Sequence, residues 1–315
     1  MRFLVSLLLL CATTAVAQSY PTRAVRVLVG FPPGGGTDIM ARFLAPRLAE
    51  YLGQPFVVEN RPGATTNIAS DMVAKSAPDG HTLLFTTSAL AINMSLYKNL
   101  PFDALRDFAP ISVFADSPNL LVAHNSAGAS VQELLAKARA KPDSMNYSSA
   151  GSGTSQHLAG ELFKARTGVK IQHIPYKGTA ASLTAVISGE VQFSFANVPA
   201  ILGHVRSGRI HALAVLADKR SGLMPDVPTM KEAGVDGVVV PVWYALLAPA
   251  ATPREIVKAL GDATARAARA PDLNQKLIEQ GAEPVGNTPE EFSKLLREEV
   301  TRWAEVVRVS GAKAE

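Results

Sequence analysis

Val25-Arg26-Val27-Leu28-Val29-Gly30-Phe31-Pro32-Pro33-Gly34-Gly35-Gly36-Thr37-Asp38 is the stretch from which the fold can be read. Val25 to Val29 is a short β-branched run that reads as a buried strand. The Pro/Gly loop behind it opens onto Asp38 to Leu52, where Met40, Phe43, Leu44, Arg47, Leu48 and Tyr51 fall at helical spacing, and Gly53 supplies a stop. Pro46 sits inside that helix and should kink it. The same order of strand, glycine-rich loop and helix returns at Asn146 to Thr167, around Ser149-Ala150-Gly151-Ser152-Gly153-Thr154-Ser155. In open α/β sheets, ligands sit beyond the carboxyl ends of the strands, where such loops lie. Two lobes, each offering one loop, would face each other across a cleft.

Strand-like and helix-like stretches alternate along the rest of the chain, which predicts an α/β protein with mainly parallel sheets. Phe56 to Glu59, Thr82 to Thr87, Lys170 to Ile174, Gln192 to Phe195 and His211 to Leu216 read as strands, and Asn67 to Ser76 as a helix. Ala109 to Phe114, Leu120 to His124 and Trp243 to Leu247 read as extended apolar segments. Capping boxes are expected at Ser130 with Glu133, at Thr252-Pro253-Arg254-Glu255 and at Thr288-Pro289-Glu290-Glu291.

With 315 residues, 47% of them hydrophobic, the chain can fill two medium cores. Its net charge of +4, from 31 basic and 27 acidic residues, is diffuse, and the absence of a Lys/Arg run argues against a nucleic-acid partner. Arg2, the apolar run Phe3 to Cys11 and the small-x-small Ala15-Val16-Ala17 predict a signal peptide over residues 1–17, cleaved near Ala17/Gln18, and a periplasmic mature protein. Leu8, Leu9 and Leu10 ahead of Cys11 do not suit a lipidation signal. Cys11 is the one cysteine, so removal of the leader excludes disulfides and thiol chemistry.

Both loops should present unpaired backbone N–H groups at a helix N-terminus, which favours an anion. Thr37, Ser152, Thr154 and Ser155 add hydroxyl donors. Dipole contributions of about 0.3–1 kcal/mol and charge-assisted bonds of about 1.5–3 kcal/mol suffice for a micromolar carboxylate binder without any cationic side chain. A single loop of this kind would read as an ordinary tight turn; two at matching places point to a site. Neither loop has the Lys of a P-loop or the spacing G-x-G-x-x-G, so no nucleotide and no cofactor is expected. No G-x-S-x-G elbow surrounds Ser152, and His157 reads as a helix residue packing on the loop rather than as its base. The histidines, His204 and His211 included, show no metal-ligand spacing. Among Phe31, Phe85, Phe195, Trp243 and Tyr244, only Phe31 is expected in the site, because it opens the first loop.

Several motifs in order carry a family resemblance: Tyr20-Pro21 with Val25 to Asp38, Glu59-Asn60-Arg61-Pro62-Gly63-Ala64, Ala77-Pro78-Asp79-Gly80, Gly153-Thr154 with His157-Leu158, Pro175-Tyr176-Lys177-Gly178, Pro225-Asp226-Val227-Pro228-Thr229 and Leu247-Ala248-Pro249. With these the chain resembles the Bug-type extracytoplasmic solute receptors of tripartite tricarboxylate transporters, the TctC family. The resemblance implies a two-lobed, type II-like Venus flytrap with two crossing hinge strands. Residues 18–121 plus 245–315 would form lobe 1 and residues 122–244 lobe 2, with crossings at Leu120 to His124 and Trp243 to Leu247. It implies a ligand carboxylate against Ser149, Ala150, Gly151, Ser152, Gly153, Thr154 and Ser155. Waters would bridge the ligand to Pro33, Gly34, Gly35, Gly36, Thr37 and Asp38.

The sequence departs from the family in two places. Thr65-Thr66 stand where Gly-Gly is common, so Thr65 could narrow the cleft or add a donor. Ala196, before Asn197, stands where an Asp is common, which removes a partner for a ligand amine and favours a non-amino dicarboxylic or aromatic acid. Phe31, Thr65 and Asn197 complete the expected ligand-binding set, with no catalytic and no metal-binding residue. The implied partners are a small carboxylated metabolite and the large and small membrane subunits of the transporter, with the receptor a monomer. A periplasmic sensor docking on a signalling receptor is the alternative, and a hydrolase using Ser152 and His157 a remote third.

Overall fold

Alternate side chains of strand β1 (Val25–Val29) point to opposite sides of a sheet, and both sides are covered. Val25, Val27 and Val29 pack with Met40, Leu44 and Leu48, one face of helix α1 (Gly36–Leu52), whereas Leu28 packs with Ala69, Val73 and Leu84 on the other side. Burying each such side chain contributes roughly 1.5–3 kcal/mol. This computed structural model describes residues 20–314; the expected leader at residues 1–17, Cys11 with it, lies outside them.

The first lobe continues with β2 (Phe56–Asn60), α2 (Asn67–Ala74), β3 (Thr82–Thr87) and α3 (Ala89–Leu96), and reaches the 16-residue strand β4 (Phe108–Ala123). The second lobe holds α4 (Val131–Ala140), β5 (Asn146–Ser149), α5 (Ser155–Thr167), β6 (Gln172–Pro175), α6 (Thr179–Ile187), β7 (Phe193–Asn197), α7 (Val198–Arg206) and β8 (His211–Val215). The chain returns through β9 (Pro241–Pro249) to α8 (Arg254–Arg269), α9 (Pro271–Glu279), β10 (Glu283–Pro284) and α10 (Pro289–Ser310). The strand order is β2-β1-β3-β9-β4-β7-β5-β6, with β8 and β10 also paired to β4.

The sheets are mixed rather than mainly parallel. Within each lobe the βαβ pairs β1–β2, β1–β3, β5–β6 and β5–β7 are parallel, but every pairing of β4 and β9 is antiparallel. The two extended segments read on either side of Pro118 belong to one strand. Its first part pairs with β9 as far as Pro118↔Pro241, and its second part pairs with β7 from Asn119↔Asn197 onward.

Helix α1 starts at Gly36, ahead of Asp38, and runs on through Pro46 to Gly53, whose φ of 78° ends it. Two capping expectations fail. Helix α8 begins at Arg254 behind Pro253, so Thr252 makes no cap and its Oγ1 has no partner. Ser130 does accept from Glu133 N–H, but the Glu133 carboxylate turns to the Ala129 N–H. The box at Thr288 and Glu291 forms in full.

Candidate ligand-binding cleft

Four helices bring their N-termini to one cavity between the lobes. Helix α1 meets it at Gly35, Gly36 and Thr37, α5 at Thr154, Ser155 and Gln156, α6 at Gly178, Thr179 and Ala180, and α7 at Asn197. Phe31, Pro32, Pro33, Thr87, Ala150, Lys177 and Val242 complete a lining around about 30 Å³. The caps of α1, α6 and α7 receive no side-chain hydrogen bond. Among the described residues the N–H groups of Gly36, Thr37, Ser155 and Gln156 have no protein partner. Each helix end carries roughly half a positive charge, so the four together make a strongly anion-attracting space.

Both loops are held from behind. The buried Asp38 carboxylate accepts from Gly34 N–H at 3.1 Å, from Arg42 Nε at 3.0 Å and from Asn60 Nδ2 at 2.9 Å, while Asn60 also donates to the Phe31 carbonyl. Burial pushes the Asp38 carboxyl up, but the bonds from Arg42, Gly34 and Asn60 outweigh it and hold the pKa below the usual value. Asp38 is thus the brace of the first loop and is engaged away from the cavity. In the second loop Gln156 Oε1 accepts from Ala150 N–H, Ser149 Oγ from Gly151 N–H and His157 Nδ1 from Gly153 N–H. Thr154 Oγ1 caps the His157 N–H. These bonds set the loop so that the donors left over, Ser155 and Gln156 N–H, face the cavity.

The expected residues therefore divide. Phe31, Pro33, Gly35, Gly36, Thr37, Ala150, Thr154, Ser155 and Asn197 come together in the lining. Gly34, Asp38, Ser149, Gly151 and Gly153 lie behind it as support, and Thr65 and Ser152 both contact the Tyr97 hydroxyl outside the lining. Gly36 is required for close approach, since a β-carbon there would collide with Asn197 Oδ1 and stand 2.9 Å from the Tyr244 hydroxyl. Both of those oxygens are buried without a hydrogen-bond partner.

The sequence reading missed Thr87, Gln156, Lys177, Gly178 and Thr179 in the lining. It also missed Asn119, which sits where β4 changes sheet and donates to Ser155 Oγ at 3.1 Å and to the Val240 carbonyl at 2.9 Å. Lys177 is an exposed cation on the rim that makes no ion pair among the described residues. The motif Pro175-Tyr176-Lys177-Gly178 was the available signal for it. Ala196 belongs to an apolar cluster with Leu120, Val198, Ile201 and Val215 and is not in the lining. Phe31 lines the cavity, whereas Phe85, Phe195, Trp243 and Tyr244 are core, Tyr244 bringing only its hydroxyl close to Gly36. His157 supports the loop, as its helical position suggested.

Two α/β lobes on paired crossing strands, meeting at a small cavity ringed by helix N-termini, define a solute-binding receptor of the periplasmic two-lobed kind. The chain belongs to the tripartite tricarboxylate transporter family receptors, TctC, whose pattern matches residues 40–311. It is 40% identical over 305 residues to protein BugT of Bordetella pertussis, covering 96% of this chain and 94% of that one. An R. palustris protein solved with adipate superposes with a TM-score of 0.91 at 38% identity, over 94% of this chain and 100% of that one. MatC from Rhodopseudomonas palustris with bound malate gives 0.87 at 32% identity, over 91% and 100%. The family and these neighbours are receptors that bind solutes, not enzymes. Among the described residues no helix is long and apolar enough to cross a membrane.

Proposed function

We propose that this receptor captures a small non-amino dicarboxylate in the periplasm and delivers it to the large and small membrane subunits of a tripartite tricarboxylate-type transporter. The observation that carries the reading is the convergence of four helix N-termini on a cavity whose lining contains Lys177 but neither Asp nor Glu. One ligand carboxylate sits at the open N–H groups of α1 and α5, and the second lies towards Lys177. A ligand ammonium finds no carboxylate to pair with, and leaving a charge unpaired in a desolvated site is costly. Adipate and malate in the two R. palustris proteins agree with that chemistry. In this reading the lobes are residues 18–118 with 241–315, and 119–240, in place of the expected 18–121 with 245–315, and 122–244. We put their hinge at Pro118–Asn119 and Val240–Pro241, a few residues ahead of the crossings expected from the sequence.

Titration calorimetry of the chain from Gln18 with adipate, malate, aspartate and benzoate tests the proposal. A dissociation constant of about 1 μM, near −8 kcal/mol, is expected for an aliphatic dicarboxylate, and aspartate should bind at least tenfold more weakly than malate. Lys177→Ala should weaken the dicarboxylate by about tenfold and leave monocarboxylates nearly unchanged. Preference for aspartate, or no heat with any acid, would overturn the assignment.

A further inference from the structure

Ala64, Thr65 and Thr66 hold φ values of 42°, 48° and 74° in succession. A β-branched side chain in this left-handed region is a genuine outlier, and such strain persists only where the surroundings enforce it. Here the turn is pinned from beneath by Asn93, whose Nδ2 donates to the Thr65 carbonyl at 2.9 Å and to Asn67 Oδ1 at 2.8 Å. It presses Thr65 against the opposite lobe. Thr65 Oγ1 lies 3.2 Å from where a β-carbon on Gly151 would stand. The Tyr97 hydroxyl, 3.4 Å from Thr65 Oγ1, donates across the cleft to the Ser152 carbonyl at 3.1 Å. Thr65, Asn93 and Tyr97 all lie outside the cavity lining. The loop they grip is nevertheless the one that aims the Ser155 and Gln156 N–H groups.

We propose that Thr65 and Tyr97 form a latch that positions the second loop and sets the closed population of the two lobes without touching ligand. Its effect on affinity rests on the binding function proposed above; its effect on closure does not. A latch favouring the closed state raises apparent affinity by the factor through which it raises the competent population. Relief of the strained turn and weakening of closure then go together. Thr65→Gly should keep or raise the melting temperature while loosening the lobes.

The chain from Gln18 onward contains no cysteine, so single cysteines at Val57 on β2 and at Lys170, two residues ahead of β6, put one spin label near each end of the strand order. Electron–electron distance measurements without ligand should show a shifted, more open distribution for Tyr97→Phe and for Thr65→Gly. Calorimetry with adipate should show both weakened about three- to tenfold. Distributions and affinities equal to the parent's in both variants would overturn the latch. If the variants shift the lobes while no carboxylate moves the parent protein, the latch stands and the ligand assignment falls.

Discussion

The rings of His157 and His173 stack at 4.2 Å, 22° from parallel, behind the second loop. Each holds a piece of that loop, His157 through Gly153 N–H and His173 through Ser149 Oγ at 2.7 Å. Tyr147 stacks on the far side of His173 and donates to Glu161, which also pairs with Lys164. Burial lowers the pKa of His157 to about 4 and, with the neighbouring His157 as the next cause, that of His173 to about 3. The unfolded chain takes up these protons near pH 6.5. The neutral pair therefore contributes its full stability above pH 6.5 and loses it as the pH falls through about 4 towards 3. His173→Gln, which keeps a partner for Ser149 but cannot take up the charge, should lose less stability than the parent between pH 6.5 and 4. Denaturant unfolding at each pH measures this, and equal slopes would mean that His173 takes up no proton on unfolding. The sequence pointed to His157 because it follows the glycine loop by one helical turn. It gave no sign of His173, a lone strand histidine brought alongside only by the pairing of β5 with β6.

At the scale of elements, the site is made by helix starts, and how readily each could be read depends on how its turn is built. The α1 and α5 turns are long and glycine-rich, so the sequence displayed them. The α6 and α7 turns are short, and each leaves one or two ordinary residues as its signal, Gly178-Thr179 in one and Asn197 before Pro199 in the other. Strand β4 shows in the sequence as two apolar pieces, Ala109 to Phe114 and Leu120 to His124, parted by Asp116, Ser117 and Pro118, which lacks an N–H. It is accommodated where the strand exchanges β9 for β7. Gly36→Ala tests the role of the α1 start. Alanine suits a helix better than glycine, but its β-carbon would crowd the buried Tyr244 hydroxyl, so stability should change little. The added carbon would meet Asn197 of the facing lobe as the lobes close, and the Tyr244 hydroxyl within its own lobe, so adipate binding should fall by tenfold or more, at least about 1.4 kcal/mol. Unchanged affinity in calorimetry would show that α1 need not approach Asn197 this closely.

At the scale of the whole molecule, the crossing strands are strapped by α10, which packs on α3 in one lobe and α5 in the other. Its buried Glu299 accepts from the indole N–H of Trp243 on β9 at 3.1 Å and of Trp303 at 2.8 Å, and pairs with Arg302 at 2.9 Å. Arg302 in turn donates to the Val239 carbonyl at 3.0 Å, just ahead of β9. The capping residues Thr288 to Glu291 marked the start of α10 in the sequence but could not show a contact spanning 56 residues. Removing the carboxylate leaves two buried indole donors without an acceptor and Arg302 without its ion pair, so Glu299→Leu should cost about 3 kcal/mol in denaturant unfolding. Trp243 and Trp303 are the chain's only tryptophans, which makes intrinsic emission a reporter of this strap alone. If the lobes turn about β4 and β9, the indole bonds on β9 and α10 must readjust, and saturating adipate should change the emission although neither ring lines the cavity. Adipate binding that leaves emission untouched would mean that the strap moves as one rigid piece with β9, and that the bending falls entirely on the residues between β8 and β9 and at Pro118.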